Sequence, residues 1–342
     1  MNNTSQIFRI ITVFLCIITL FSYGVYSVFF KSGQKPDTIK YSNGFLPFDF
    51  EEAEENEKSP EPLTSAPVEQ NSPVLPTAAG EVLGKVINKT VKSDNSTVTD
   101  SNVHIKNSTD LNISASALLT ANLGFKIQEN AEAQVLIIHT HATESFLSED
   151  RDYYTSSDNS RTTDNNFNVT ELGAIISDKL SASGISTLHD RMQHDYPSYN
   201  GSYSRAAGTI KSYLKKYPDI KVVIDIHRDA IQSGSTKTKL TADINGKRAA
   251  QVMLVMGSQS GNVKNFPNWQ ENLKLALRLQ KNMENMYPAL ARPLSLMPRS
   301  YNEPLTTGSM LIEIGTDANS LEEAKYSAEL LSETLIKTLK ES

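Results

Sequence analysis

Val222-Val-Ile-Asp-Ile-His-Arg-Asp229 is a short apolar, β-branched run that ends in ionisable side chains. Such a run reads as a strand buried on both faces, as in a parallel sheet. Alternation places Asp225, His227 and Asp229 on one side of it. Two other stretches share the pattern: Val135-Leu-Ile-Ile-His-Thr-His-Ala-Thr-Glu144 and Met310-Leu-Ile-Glu-Ile-Gly315. Strand ends of an α/β sheet converge on one crevice, so these three sets of ionisable groups are expected to meet there. That coincidence predicts an enzyme.

Between and around these runs lie helical patterns. Val169, Leu172, Ile175, Ile176 and Leu180 follow the 3.6 period and predict a helix over 168–183, closed by Gly184. Further helices are expected at 115–121, 203–216, 269–286 and 320–339, the last capped by Asn319-Ser320. Strands are expected at 103–107, 135–139, 185–188, 221–226, 251–256, 294–297 and 310–314. The alternation implies an α/β fold: a mixed, mostly parallel central sheet flanked by helices on both faces.

The folded domain is expected to occupy 103–342. After a short tail at 1–6, residues 7–30 carry one charge, Arg9. At helical rise they extend roughly 36 Å, enough to cross a hydrocarbon core of about 30 Å. An uncleaved transmembrane anchor is expected, with the domain outside the cytoplasm, although Lys31, Lys35 and Lys40 follow the span and charge alone does not favour that orientation. Residues 31–102 are polar, with an acidic block at 49–57, and predict a disordered tether because they cannot bury enough apolar surface to offset ordering. Asn-x-Ser/Thr sequons at Asn88, Asn95, Asn107 and Asn112 are what such tracts generate by chance.

A net charge of −6 without a Lys/Arg stripe excludes nucleic-acid binding as an expectation. The single cysteine, Cys16, rules out a cysteine-based metal site, leaving His and carboxylates as donors. His139, His141 and Glu144 are candidates, the two histidines pointing the same way if the strand stays extended. His227 is the strongest single ligand candidate, with a neighbouring carboxylate to set its tautomer. Arg228 is a candidate for gripping a substrate carboxylate, and Asp229 for a further site residue. Glu313 sits among apolar neighbours and needs a cationic partner; beside a metal it would shuttle a proton. His189 and His194 read as solvated loop residues, His104 as strand packing, and Asp164, Asn165, Asn166 and Asn168 as turn and capping residues.

Five ordered motifs together carry a resemblance: His139-Thr-His-Ala-Thr-Glu-Ser145, Asn168-Val-Thr-Glu-Leu-Gly173, His194-Asp-Tyr-Pro-Ser-Tyr199, Asp225-Ile-His-Arg-Asp-Ala230 and Leu311-Ile-Glu-Ile-Gly315. Through them the chain resembles the stage II sporulation protein P family, peptidoglycan hydrolases of endospore-forming bacteria. The resemblance implies a zinc amidase-like fold and a Zn2+-dependent N-acetylmuramoyl-L-alanine amidase, with endopeptidase activity on stem-peptide crosslinks. It implies work with a lytic transglycosylase and a membrane-protein partner during forespore engulfment. Carried over from the broader zinc amidases, His139 and His227 become metal ligands and Glu313 the catalytic carboxylate. The middle ligand is Glu144 or its rival His141, because the usual position before the first helix holds Asp164 and asparagines. The alternatives from other classes are a wall-binding scaffold that does not cut and a different single-metal hydrolase.

Overall fold

The computed structural model describes residues 80–129 and 131–342. The expected tail and membrane anchor lie outside them. Among the described residues no helix is long and apolar enough to cross a membrane.

In chain order the strands are β1 (Val82–Lys89), β2 (Val98–Asp100), β3 (Val103–Asn107), β4 (Val135–Ile138), β5 (Tyr153–Thr155), β6 (Thr187–His189) and β7 (Val222–Asp229). They continue with β8 (Gln232–Ser233), β9 (Thr236–Ile244), β10 (Lys247–Ala250), β11 (Val252–Gly257), β12 (Leu294–Met297) and β13 (Gly308–Thr316). The helices are α1 (Ala115–Thr120), α2 (Val169–Ala182), α3 (Ser202–Lys216), α4 (Trp269–Met286) and α5 (Leu321–Lys340). The caps follow the sequence reading. Asn168 accepts from the Thr170 N–H at the start of α2, Gly184 takes φ +88° after it, and Ser320 with Glu323 forms a capping box on α5.

The main sheet runs β2-β3-β12-β11-β13-β7-β4-β6. Its ladders are parallel except β2–β3 and β11–β13, so β13, β7, β4 and β6 point one way and β11, β12 and β3 the other. The expected mixed, mostly parallel sheet is present, and the C-terminal ends of β4, β6, β7 and β13 share one edge. Period-2 alternation divides the sheet into two faces. Val135, Ile137, Val222, Ile224, Ile226, Ile312 and Ile314 pack under α2, α4 and α5. Leu136, Ile138 and Val223 pack under α3 on the other face. Pairing of Ile138 with Asp225, Glu313 with His227, and Met253 with Glu313 puts all three ionisable groups on the α3 face.

A second sheet, ordered β10-β9-β1-β5 with β8 on β9, was not expected from sequence. It corrects the tether reading for residues 80–102. β1 lies between β9, parallel, and β5, antiparallel, and the adjoining β2 extends the main sheet. β1 looks like tether because only Val86 along it is buried, the rest of the strand being held by its two ladders. Gly84 is required there: a Cβ would stand 1.9 Å from the Ser235 carbonyl oxygen. A chain beginning at residue 103 strips β9 of this partner. Its thermal midpoint is expected to fall by about 5 °C or more relative to a chain beginning at residue 80, a shift of about 2 kcal/mol, readable by calorimetry.

Candidate metal and catalytic site

The strand β4 ends at Ile138, and the chain leaves extended geometry at once. The Asp225 carboxylate accepts from the Thr140 N–H at 2.8 Å and from the Thr140 hydroxyl at 2.6 Å. The turn over 140–143 closes with the Glu144 N–H on the His141 carbonyl at 3.1 Å. This turn separates two histidines that an unbroken strand would have placed together.

His139 stays on the α2 face. Its Nδ1 lies 3.0 Å from the Ile226 carbonyl oxygen, which only accepts, so Nδ1 carries the proton. Burial holds the ring neutral, with its pKa down at about 4. The Nε2 lone pair therefore accepts from His189 Nε2 at 2.8 Å. With both nitrogens engaged and the ring across the sheet from His227, His139 is corrected from a metal ligand to a buried structural residue. The surface reading of His189 is corrected with it: burial first, then the neighbouring His139 ring and the Arg191 charge, disfavour its protonation. His194 is 1% exposed, with Nδ1 on the His139 carbonyl and Nε2 on the Thr209 hydroxyl, each at 3.0 Å. The loop after β6 folds inward to meet α3, which polarity alone does not reveal. Gly173 makes room for the His139–His189 pair, since a Cβ there would sit 2.5 Å and 2.6 Å from the two Nε2 atoms. Gly173→Ala is expected to destabilise the protein by about 1–3 kcal/mol, read by denaturant unfolding, because the paired His139 and His189 rings would have to yield.

His141 emerges on the α3 face. It stacks on Tyr199 at 4.5 Å, meets Tyr203 edge-on at 5.6 Å and stands 5.3 Å from His227, ring centre to ring centre. Neither of its buried ring nitrogens has a hydrogen-bond partner. Burial lowers its pKa to about 4, so it presents a neutral imidazole. His227 Nδ1 is 3.4 Å from Glu144 Oε2, and its Nε2 touches Asp225 Oδ1 at 2.9 Å, out of line for a hydrogen bond. Burial opposes a charge on His227, but Asp225 and Glu144 outweigh it and raise the pKa well above the ordinary value. Burial likewise opposes ionisation of Glu144, yet the His227 contact and the Arg228 charge keep its pKa low. Glu313 pairs with His227 across the β7–β13 ladder, and its buried Oε2 has no hydrogen-bond partner. Burial, then Asp229, push its pKa up to about 8 against the pull of His227.

The remaining candidates are structural. Arg228 donates from Nε to the Ser145 carbonyl, from Nη1 to the Asp229 carbonyl and from Nη2 to the Ser160 carbonyl, while its backbone N–H binds Glu144 Oε2 at 3.1 Å. A guanidinium so used is not offered to substrate, which corrects that expectation. Asp229 binds Arg292 Nη1 at 2.9 Å and sits behind Glu313. Asp164 holds a turn through the Asn166 N–H, and His104 packs at the sheet margin beside Thr99.

Among the described residues no group of three or more His, Cys, Asp and Glu side chains forms a ready-made metal cage. The donor chemistry on the α3 face nevertheless suits one: two imidazoles and a carboxylate, with both His141 nitrogens buried and unbonded. Two donors about 2.1 Å from a tetrahedral ion stand about 3.4 Å apart, which matches the His227–Glu144 spacing.

A family model described as stage II sporulation protein P matches residues 40–336. The chain belongs to that family. The family's member from Bacillus subtilis (strain 168) is 32% identical over 205 residues, covering 57% of this chain and 48% of that protein. The chain thus spans about half the length of this relative. Solved structures to which the chain shows a distant similarity include the N-acetylmuramyl-L-alanine amidase Ami1 of Mycobacterium abscessus, 12% identical with a TM-score of 0.36 over 61% of this chain and 97% of the other. Another is the CwlD amidase of Clostridioides difficile in complex with the GerS lipoprotein, 11% identical with a TM-score of 0.36 over 60% and 94%.

Proposed function

We propose that this protein is a Zn2+-dependent N-acetylmuramoyl-L-alanine amidase that hydrolyses peptidoglycan during forespore engulfment, with endopeptidase activity on stem-peptide crosslinks. Family membership supports the sporulation context. The observation that carries the chemistry is the pair of buried, unbonded His141 nitrogens beside His227, Glu144 and Glu313, because a buried polar atom without a partner costs about 1–3 kcal/mol unless something binds it.

His141, Glu144 and His227 would hold the ion, two nitrogens and an oxygen that leave a position open. When bound, the ion supplies Lewis-acid polarisation of the scissile carbonyl. Asp225 orients the His227 ring from its Nε2 side, leaving Nδ1 toward Glu144. Arg228 clamps the turn that carries Glu144. Glu313 accepts a proton from the attacking water as the oxygen adds to the carbonyl carbon. It then returns that proton to the alanine nitrogen as the C–N bond breaks, leaving a lactyl carboxylate and a free amine. The proposed setting is extracytoplasmic, with residues 7–30 as membrane anchor and a lytic transglycosylase and a membrane protein as partners.

The test is mass spectrometry of purified peptidoglycan after exposure to the full-length protein. Release of intact stem peptides with N-terminal alanine is expected. Cleavage confined to bonds between stem peptides would leave a metallopeptidase, and no cleavage with no retained zinc would leave the scaffold reading.

A further inference from the structure

Arg228 is spent on backbone carbonyls, so any guanidinium that meets substrate has to come from elsewhere on this edge of the sheet. One stands at the mouth of the site. Arg161 is 36% exposed along its side chain, and its Cζ lies 4.8 Å from the centre of the Tyr199 ring, the same ring that stacks on His141. His141, Tyr199 and Arg161 are thus linked ring to ring to guanidinium, from the buried candidate ligand out to solvent. Tyr199 is itself 40% exposed.

The anchoring of Arg161 is one-sided. Nη1 carries the hydrogen bonds, to Asp195 Oδ2 at 2.6 Å and to the Thr143 hydroxyl at 3.1 Å. Asp195 is fully buried along its side chain and accepts in turn from the Thr143 N–H and hydroxyl, so the base of the guanidinium is fixed. Nη2 reaches Glu144 Oε1 only at 3.7 Å, beyond hydrogen-bond length. A guanidinium held on one edge, backed by an aromatic face and directed toward a catalytic carboxylate cluster is preorganised to take a second carboxylate on its other edge.

We infer that Arg161, positioned by Asp195 and Tyr199, is a specificity-determining residue that grips a substrate carboxylate beside the scissile bond. The inference rests on the amidase reading. On that reading the group beyond the scissile alanine is the acidic second residue of the stem peptide, present in walls either as a free carboxylate or as its amide. The site would select the free acid. An amide offers one acceptor oxygen where the carboxylate offers two, and it brings an N–H2 that the all-donor guanidinium cannot pair.

The experiment uses the full-length protein with two muramoyl-peptides that differ only in carboxylate or carboxamide at the second residue. Cleavage of each gives kcat/KM, and titration calorimetry gives the affinity of each released peptide. Wild type is expected to favour the acid by about tenfold or more in both measurements, the scale of one charge-assisted hydrogen-bonded pair. Arg161→Gln is expected to bring the ratio near one, and Arg161→Lys to retain part of it, since lysine keeps the charge without the fork. Because the readout is a ratio within each variant, a general loss of activity or stability does not imitate it. An unchanged ratio in Arg161→Gln, or no acid preference in wild type, overturns the inference while cleavage of both substrates leaves the amidase reading standing. Cleavage of neither substrate, with an Arg161-dependent preference for the acidic peptide in calorimetry, overturns the amidase reading and leaves the carboxylate grip in place.

Discussion

Glu313→Gln is expected to lower kcat on muramoyl-peptides by about 10²- to 10⁴-fold while bound zinc and the melting temperature stay near wild type. The reasoning begins with place. Glu313 lies in β13, in register with His227, and its Oε2 is buried with no hydrogen-bond partner. Glutamine keeps the shape and removes the group that accepts and returns the proton, and nothing in the hydrogen-bonding around that oxygen requires a charge. Burial and Asp229 already hold the Glu313 pKa at about 8, so the charged form is not a stabilising feature of the fold. Zinc content by mass spectrometry and a thermal melt separate this outcome from simple unfolding. A variant with full zinc, an unchanged melt and undiminished turnover would remove Glu313 from the chemistry.

The second expectation sets two histidines against each other. His141→Ala is expected to abolish zinc retention, a loss exceeding the roughly 10- to 100-fold that removing a ligand's orienting partner costs. His139→Ala is expected to keep the zinc and instead lower stability by about 1–3 kcal/mol, since it strands the Ile226 carbonyl and the His189 Nε2 in the interior. Zinc-binding titrations and denaturant curves on both proteins decide it. The reverse pattern, with zinc lost from His139→Ala and kept by His141→Ala, would return the metal to the strand end and dissolve the site drawn on the α3 face.

That contrast also marks where sequence patterning stops. The runs 135–138, 222–229 and 308–316 are legible as strands because hydrophobic β-branched residues fill both faces of a covered sheet. The alternation of Asp225 and His227 is legible too. Which face of the neighbouring strand they join is not, because it depends on a register between residues 87 positions apart, Ile138 against Asp225. The reach of the turn at Thr140 is hidden for the same reason: it depends on Asp225, far away in the chain. The second sheet escapes notice because its strands look solvated. β9 carries Lys237 and Lys239, which read as exposed and are instead buried on Asp317 and on Glu323 with Asp150. One local signal for it exists. Asn245-Gly246, with φ of 51° and 78°, forms the two-residue turn between β9 and β10, and an Asn-Gly pair between strand-like segments is the strongest short-range hairpin signature.

Asp225 serves two masters. One carboxylate folds the turn that delivers His141, through the Thr140 N–H and hydroxyl, and also stands against His227 Nε2. The two imidazole arms of the site are therefore not independent inheritances of two strands. They are tied through a single side chain, so substitutions at Thr140 and at Asp225 should be strongly epistatic, their combined effect on zinc affinity far from the sum of the separate ones. In evolutionary terms such a knot makes the site hard to rebuild one residue at a time: a lineage that loses Asp225 loses the placement of both histidines at once.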